Sequence, residues 1–247
     1  MSDFAHDNVV PYQGSAQGKK DQVAEMFDDI APRYDFMNRF LSAGIDVSWR
    51  RKALSELKSI EPQIMLDVAT GTADVAIMAA HMLKPAKIIG IDISTGMLDL
   101  GRKKLLKEGL DGRIELQTGD SEAINFPDAS FDAVTVAFGV RNFAHLEKGL
   151  SEIYRVLKPG GKLVVLEFSK PKIIGIQQFY NLYMGIVAPG MGSIFSKNRD
   201  AYQYLHDSVQ KFPEGKAFTD ILNQTGFKEN TCKRLSLGIC SIYTGIK

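Results

Sequence analysis

Cysteine is scarce in this chain. Only Cys232 and Cys240 occur among 247 residues, and two thiols without His or Cys neighbours make a poor metal site. Both are expected as core thiols, and no metal is expected. Nothing points to an oxidising compartment. Excess charge of one sign is also missing: 30 Lys and Arg stand against 29 Asp and Glu, a formal net charge of +1. No overall field would recruit nucleic acid, and no basic stripe with interleaved aromatics marks such a partner. No apolar run is long enough to span a bilayer, and the polar N-terminus lacks the pattern of a secretory signal. The expectation is a cytoplasmic protein.

What is present is ordinary globular material. Apolar residues make up 45% and charged residues 24% of a chain long enough to bury one sizeable core. Residues 1–18 are polar and carry Gly, Ser and Gln, which predicts a flexible N-terminus. Apolar residues then recur at gaps of three and four through Val23, Met26, Phe27, Ile30, Tyr34, Met37 and Leu41, a helical spacing. Pro32 falls inside that run and predicts two short helices rather than one. Trp49 to Leu57 continues as a third helical piece.

Beyond Pro62 the pattern changes. Short apolar runs over 64–68, 87–92, 114–118, 131–137 and 162–168 read as strands. Helical patterns over 74–82, 97–106 and 146–157 separate most of them. Alternation of this kind means βαβ units and a parallel sheet. In the stretch 173–195 apolar residues spread around much of a helix rather than along one stripe. A helix near 218–222 follows, then strands near 227–235 and 239–244. Their short link predicts a hairpin, so the last strand should run antiparallel to the rest.

Ligands of open α/β sheets sit at the carboxyl ends of the strands. The polar residues there are Asp67, Thr70-Gly71-Thr72, Asp92, Asp120-Ser121 and the segment from Ala137 to Asn142. A dinucleotide site would carry Gly-x-Gly-x-x-Gly after the first strand, whereas Ala69-Thr70-Gly71-Thr72-Ala73-Asp74 holds one glycine. A ligand without a pyrophosphate fits better, and S-adenosylmethionine is one. Asp92 is placed for both ribose hydroxyls, Asp120 for the adenine amine and Ser121 for backbone contacts. Each acid alone is equally at home as a helix cap; the order of loop, acid and acid on three successive strands carries the reading.

Longer motifs narrow it. Tyr34-Asp-Phe-Met-Asn-Arg-Phe-Leu-Ser42, followed by Trp49, resembles the N-terminal signature of the ubiquinone/menaquinone biosynthesis C-methyltransferase family. Arg155-Val-Leu-Lys-Pro-Gly-Gly-Lys-Leu-Val-Val-Leu-Glu-Phe-Ser169 is similar to its second signature. Phe138-Gly-Val-Arg-Asn-Phe143, Tyr202-Gln-Tyr-Leu-His-Asp-Ser208 and Phe212-Pro213 extend the likeness over roughly residues 20–245. The resemblance implies an α/β class I methyltransferase fold: a seven-stranded, mostly parallel Rossmann-like sheet with an antiparallel last strand and an N-terminal helical lid. Residues 19–247 would form a single methyltransferase domain. Its parts would be a lid (19–60), a cofactor-binding core (63–170), an apolar substrate cover (171–215) and a C-terminal helix and hairpin (216–247). The resemblance carries cofactor contacts onto Thr72, Asp92, Asp120 and Ser121. Asp67, Gly71 and Ala137 join them by position. The chain departs from the family at Asp46, where a His is usual, and at Ala137, where Ser is frequent and only backbone is left to offer.

The implied reaction is methyl transfer from S-adenosylmethionine to a ring carbon of a polyprenylated quinol, demethylmenaquinol first among them. A methoxy-polyprenyl-benzoquinol on the ubiquinone route, or another small apolar acceptor, is the alternative. A quinol carbon becomes nucleophilic when an adjacent hydroxyl loses its proton. Arg141 stays protonated and would stabilise the phenolate or hold a water, while Tyr34 and Asn142 would orient the ring. Asp35 and His145 are nearby candidates, His145 more naturally as a cap. Phe179, Tyr180, Tyr183 and Met184 would line a tunnel for the tail. The partners expected are the lipophilic quinol, peripheral contact with the inner face of the membrane, and a homodimer.

Overall fold

In a computed structural model the chain is described over residues 4–42, 44–171 and 199–247. The apolar stretch 173–195, with its tunnel residues, lies outside them. Seven strands form one sheet: β1 (Ile64–Val68), β2 (Lys87–Asp92), β3 (Ile114–Thr118), β4 (Phe131–Ala137), β5 (Leu157–Phe168), β6 (Lys228–Leu235) and β7 (Cys240–Ile246). Their spatial order is β3-β2-β1-β4-β5-β7-β6. Strands β1 to β5 pair in parallel. β7 is antiparallel to both β5 and β6.

The period-2 alternation of the strands separates two apolar layers. Met65, Ile88, Ala133 and Val164 face one layer, packed with Leu54, Ala76 and Leu98. These come from helices α2 (Ile45–Ser55), α3 (Asp74–Met82) and α4 (Thr95–Glu108). Leu66, Ile89, Val134 and Val165 face the other, packed with Leu150, Ile153 and Phe218. Those belong to α5 (Leu146–Val156) and α7 (Lys216–Thr225), while α6 (Arg199–Lys211) precedes α7. The fold expected from the sequence is therefore the one observed.

Four expectations differ. Helix α1 runs unbroken over Lys19–Leu41 with Pro32 inside it. A proline there costs about 3 kcal/mol, but both halves are anchored. Val23 and Met26 pack on Tyr204, and Ile30 and Ala31 pack on Met97 of α4. Residues 4–17 are not a free tail either: His6 is 0% exposed, Val9 is buried, and the His6 ring meets Phe212 edge-on at 5.6 Å. The helix expected over 146–157 ends at Val156, because Leu157 already pairs with Phe131. Cys240 is in the core, whereas Cys232 lies exposed on the edge strand β6. That edge carries Lys228, Glu229, Lys233 and Arg234, charges that discourage pairing with another sheet.

Candidate active site

The carboxyl ends of β1, β2 and β4 open into a cleft whose space, open solvent included, is about 650 Å³. A second, smaller cleft of about 380 Å³ adjoins it. Tyr34, Ala69, Gly71, Ala137 and Phe138 border both.

The loop after β1 is tight. Ala69 (φ 54°), Gly71 (φ 57°) and Ala73 (φ 66°) are all left-handed, a conformation that disfavours Ala and is stored where surrounding structure enforces it. Asp67 supplies much of that enforcement. Its carboxylate accepts Thr70 Oγ1 at 2.7 Å and Thr135 Oγ1 at 2.5 Å, tying the loop to β4. Burial pushes Asp67 up to about 6, against those two hydroxyls. Asp92, at the tip of β2, accepts the amides of Gly71 (2.8 Å) and Ser94 (2.9 Å). Burial raises it also to about 6. Ser94 caps α4 by accepting from Met97 N, and its hydroxyl donates to Asp28 of α1 at 2.6 Å. Helix α1 is thus fastened to the helix that follows Asp92.

Asp120 and Ser121 border the larger cleft. Asp120 accepts Lys20 Nζ at 2.5 Å and the Glu122 amide at 2.9 Å. Thr72 lines the smaller cleft; its hydroxyl donates to Asp35 at 2.6 Å and accepts from Lys104 at 2.8 Å. Ala137 lies between the two clefts, where only its backbone is polar.

The three residues expected to act on the acceptor separate. Tyr34 and Asn142 border the larger cleft. Arg141 is 4% exposed and outside that border; Nη1 donates to Glu167 (2.7 Å) and to the Phe138 carbonyl (2.6 Å). Its buried Nε has no acceptor among the described residues. Burial pushes Glu167 up even with Arg141 opposing. Asn142 Oδ1 accepts from the Tyr204 hydroxyl at 3.1 Å, and desolvation pushes that phenol well above its ordinary value. His145 precedes α5, and its amide donates to Glu122 at 2.8 Å.

Sequence reasoning assigned no role to Lys20, Arg50, Glu122, Phe138 or Tyr204. Tyr204 stands in the Tyr202–Ser208 motif, but only the fold shows that it reaches Asn142. Lys20 is one cation in a polar segment, with nothing local to mark it. Among the described residues no cluster of three His, Cys, Asp or Glu is placed to hold a metal ion, and no helix is long and apolar enough to cross a membrane.

A mostly parallel seven-stranded sheet with an antiparallel last strand, carrying an acid at the tip of β2, a hydroxyl loop after β1 and an Asp–Ser pair after β3, is that of the Rossmann-like methyltransferase class. The chain belongs to the ubiE/COQ5 methyltransferase family, whose profile matches residues 15–247. It is 47% identical over 244 residues to the demethylmenaquinone methyltransferase of Bacteroides fragilis, covering 99% of both chains. It is also 47% identical to the ubiquinone/menaquinone biosynthesis C-methyltransferase UbiE of Geotalea daltonii, over 93% of this chain and 97% of that one. A solved S-adenosylmethionine-dependent methyltransferase of Aquifex aeolicus shares the fold at a TM-score of 0.54 and 19% identity, over 74% of this chain and 81% of that one.

The clefts fit S-adenosylmethionine, the cofactor. Asp92 is an acceptor at the cleft wall, 9% exposed. Gly139 brings the β4 loop so near the β1 loop that a Cβ there would lie 2.5 Å from Ala69 Cβ. The two loops together form a close backbone cradle.

Proposed function

We propose that this methyltransferase converts demethylmenaquinol to menaquinol, methylating a ring carbon of a polyprenylated quinol. The observation that carries the reading is one cleft bordered both by the acceptors Asp92 and Asp120 and by Tyr34, Phe138 and Asn142. The full-length likeness to a protein named demethylmenaquinone methyltransferase supports the menaquinone ring over a benzoquinol.

The cofactor supplies the electrophilic methyl group. The protein's task is alignment, exclusion of water and charge stabilisation. Asp92 holds the ribose hydroxyls, Asp120 faces the adenine amine, and the backbone at Ser121 and Ala137 closes the contact. Asp67, Gly71 and Thr72 shape the turn that receives the amino-acid end. Tyr34 and Asn142 orient the ring oxygens, with Asn142 held by Tyr204. Arg141, whose Nε has no acceptor among the described residues, supplies a donor for a phenolate or for a water that carries the proton away.

A tail of isoprene units partitions into a bilayer. We therefore place the enzyme in the cytoplasm, in peripheral contact with the inner face of the membrane when it takes its substrate. The test is turnover with methyl-labelled S-adenosylmethionine against demethylmenaquinol and a methoxy-polyprenyl-benzoquinol in parallel. Label should enter menaquinol faster. Label in the benzoquinol alone assigns the ubiquinone route, and label in neither, with cofactor still bound, removes quinols as substrates.

A further inference from the structure

We propose that Arg50 is the receptor for the carboxylate of the cofactor's amino-acid tail, and that Asp46 aims it. The inference rests on the S-adenosylmethionine reading of the clefts and adds a residue which that reading does not contain.

The tail is a zwitterion, with an ammonium and a carboxylate on one carbon. With Asp92 and Asp120 fixing the nucleoside in the larger cleft, the tail extends into the smaller one. The acids Asp35, Asp67 and Asp74 line that cleft. They suit the ammonium and repel the carboxylate, so a cation must face the carboxylate for the tail to fit. Among the described residues bordering the cleft, Arg50 is the cationic side chain.

Arg50 is built to wait there. Its side chain is 6% exposed. Nη1 donates to Asp46, one turn earlier on α2, and lies 3.6 Å from Asp74. The guanidinium stands over the Phe138 ring, 5.7 Å from the centroid, a stacking that fixes its plane. Asp46 is itself buried and receives Ser42 Oγ at 2.9 Å and Arg39 at 3.2 Å. One edge of the fork is therefore clamped. Among the described residues, the donors Nε and Nη2 make no hydrogen bond. Arginine's planar fork matches a carboxylate in two parallel hydrogen bonds. The family's usual His at position 46 would not grip the guanidinium as a carboxylate does, so in this chain the departure at Asp46 belongs to the anchor of Arg50.

The test is calorimetric binding rather than turnover. Three ligands are titrated into the full-length protein: S-adenosylhomocysteine, its decarboxylated analogue, and 5′-methylthioadenosine, which lacks the whole amino-acid end. Wild type should prefer S-adenosylhomocysteine to the decarboxylated analogue. Arg50→Met should weaken S-adenosylhomocysteine by about 10- to 100-fold, the range for hydrogen bonds to charged groups, and leave 5′-methylthioadenosine within about twofold. Arg50→Lys should recover part of the loss, as a point charge without the fork. Arg50→Met leaves Asp46 buried with less compensation; if it does not fold, Asp46→Asn/Arg50→Met removes both charges and should show the same selective loss. Equal loss for all three ligands, or an intact preference for the carboxylate, overturns the assignment. Wild type that binds none of the three overturns the cofactor reading itself, a distinct failure.

Discussion

Arg141 Nη1 lies 2.7 Å from Glu167 Oε1, with the two side chains 4% and 0% exposed. A pair so sealed from water contributes little net stability, yet losing one partner strands the other charge. Glu167→Ala should cost about 3–5 kcal/mol by that reasoning, read as a lowered urea midpoint. Arg141→Met/Glu167→Leu replaces both charges with apolar bulk and should recover most of the midpoint. Turnover separates structure from chemistry: the double variant should stay inactive while binding S-adenosylhomocysteine normally. A double variant that is stable and still active would remove Arg141 from the reaction.

Asp92 gives a pH signature. Burial raises its carboxyl from an ordinary 3.8 to about 6, while the amides of Ser94, Gly71 and Ile93 pull it down. Under the proposed role two ribose hydroxyls would donate to it, and the ionised form has the lone pairs to accept them as well as the amides. Affinity for S-adenosylhomocysteine should be flat above pH 7 and fall as pH drops through about 6, approaching tenfold per unit. Stability moves the other way for this group. The folded state takes up its proton before the unfolded chain does, so between about pH 6 and 4 acid favours the fold at this site. Calorimetry and thermal melts of wild type against Asp92→Asn from pH 5 to 8 measure both. The variant should lose affinity and the inflection together; an inflection that survives belongs to another acid, with Asp67, also near 6, the first to examine.

The strands over 64–68, 87–92, 114–118 and 131–137 and their order of use were legible because each is a short apolar run with an acid or turn at its end. Burial on both faces of a parallel strand leaves that mark directly in the chain. The same reasoning put Asp92 and Asp120 at strand ends, and both border the larger cleft. Helix α1 was misread at Pro32 because a local breaker was weighed without the contacts of Ile30 and Ala31 on Met97. Neither Arg50's contact with Phe138 nor Tyr204's with Asn142 was legible. Arg50 meets Phe138 across 88 positions, and Tyr204 meets Asn142 across 62; no spacing rule connects such residues before the chain has folded.

The N-terminal segment offers a further test. His6 and Val9 are buried, and the amine of Lys19 donates to the His6 carbonyl at 2.7 Å. Deleting residues 1–11 should cost about 2–4 kcal/mol, comparable to emptying a core site, seen as an earlier urea transition. A free tail would leave the transition unmoved. Burial also lowers the His6 imidazole to about 3, with Lys19 reinforcing it. The unfolded chain takes that proton near 6.5, so the contribution of His6 is lost as pH falls below that value. His6→Phe should reduce this acid sensitivity.

Gly139 is a steric question rather than a conformational one. Its φ is −117°, open to any residue, but an added Cβ would lie 2.5 Å from Ala69 Cβ and 3.4 Å from Val136 Cγ1. Ala69 cannot easily retreat, because it is held left-handed at φ 54° in the turn that Asp67 pins through Thr70. Gly139→Ala should therefore spread the two loops of the cofactor cradle, costing about 1–3 kcal/mol as overpacking does and weakening S-adenosylhomocysteine more than tenfold. The remedy lies on the opposite loop. Ala69→Gly removes the clashing methyl and suits the positive φ, so Ala69→Gly/Gly139→Ala should regain both stability and binding. If the double variant binds no better than Gly139→Ala alone, the contact between these loops is not what shapes the cradle.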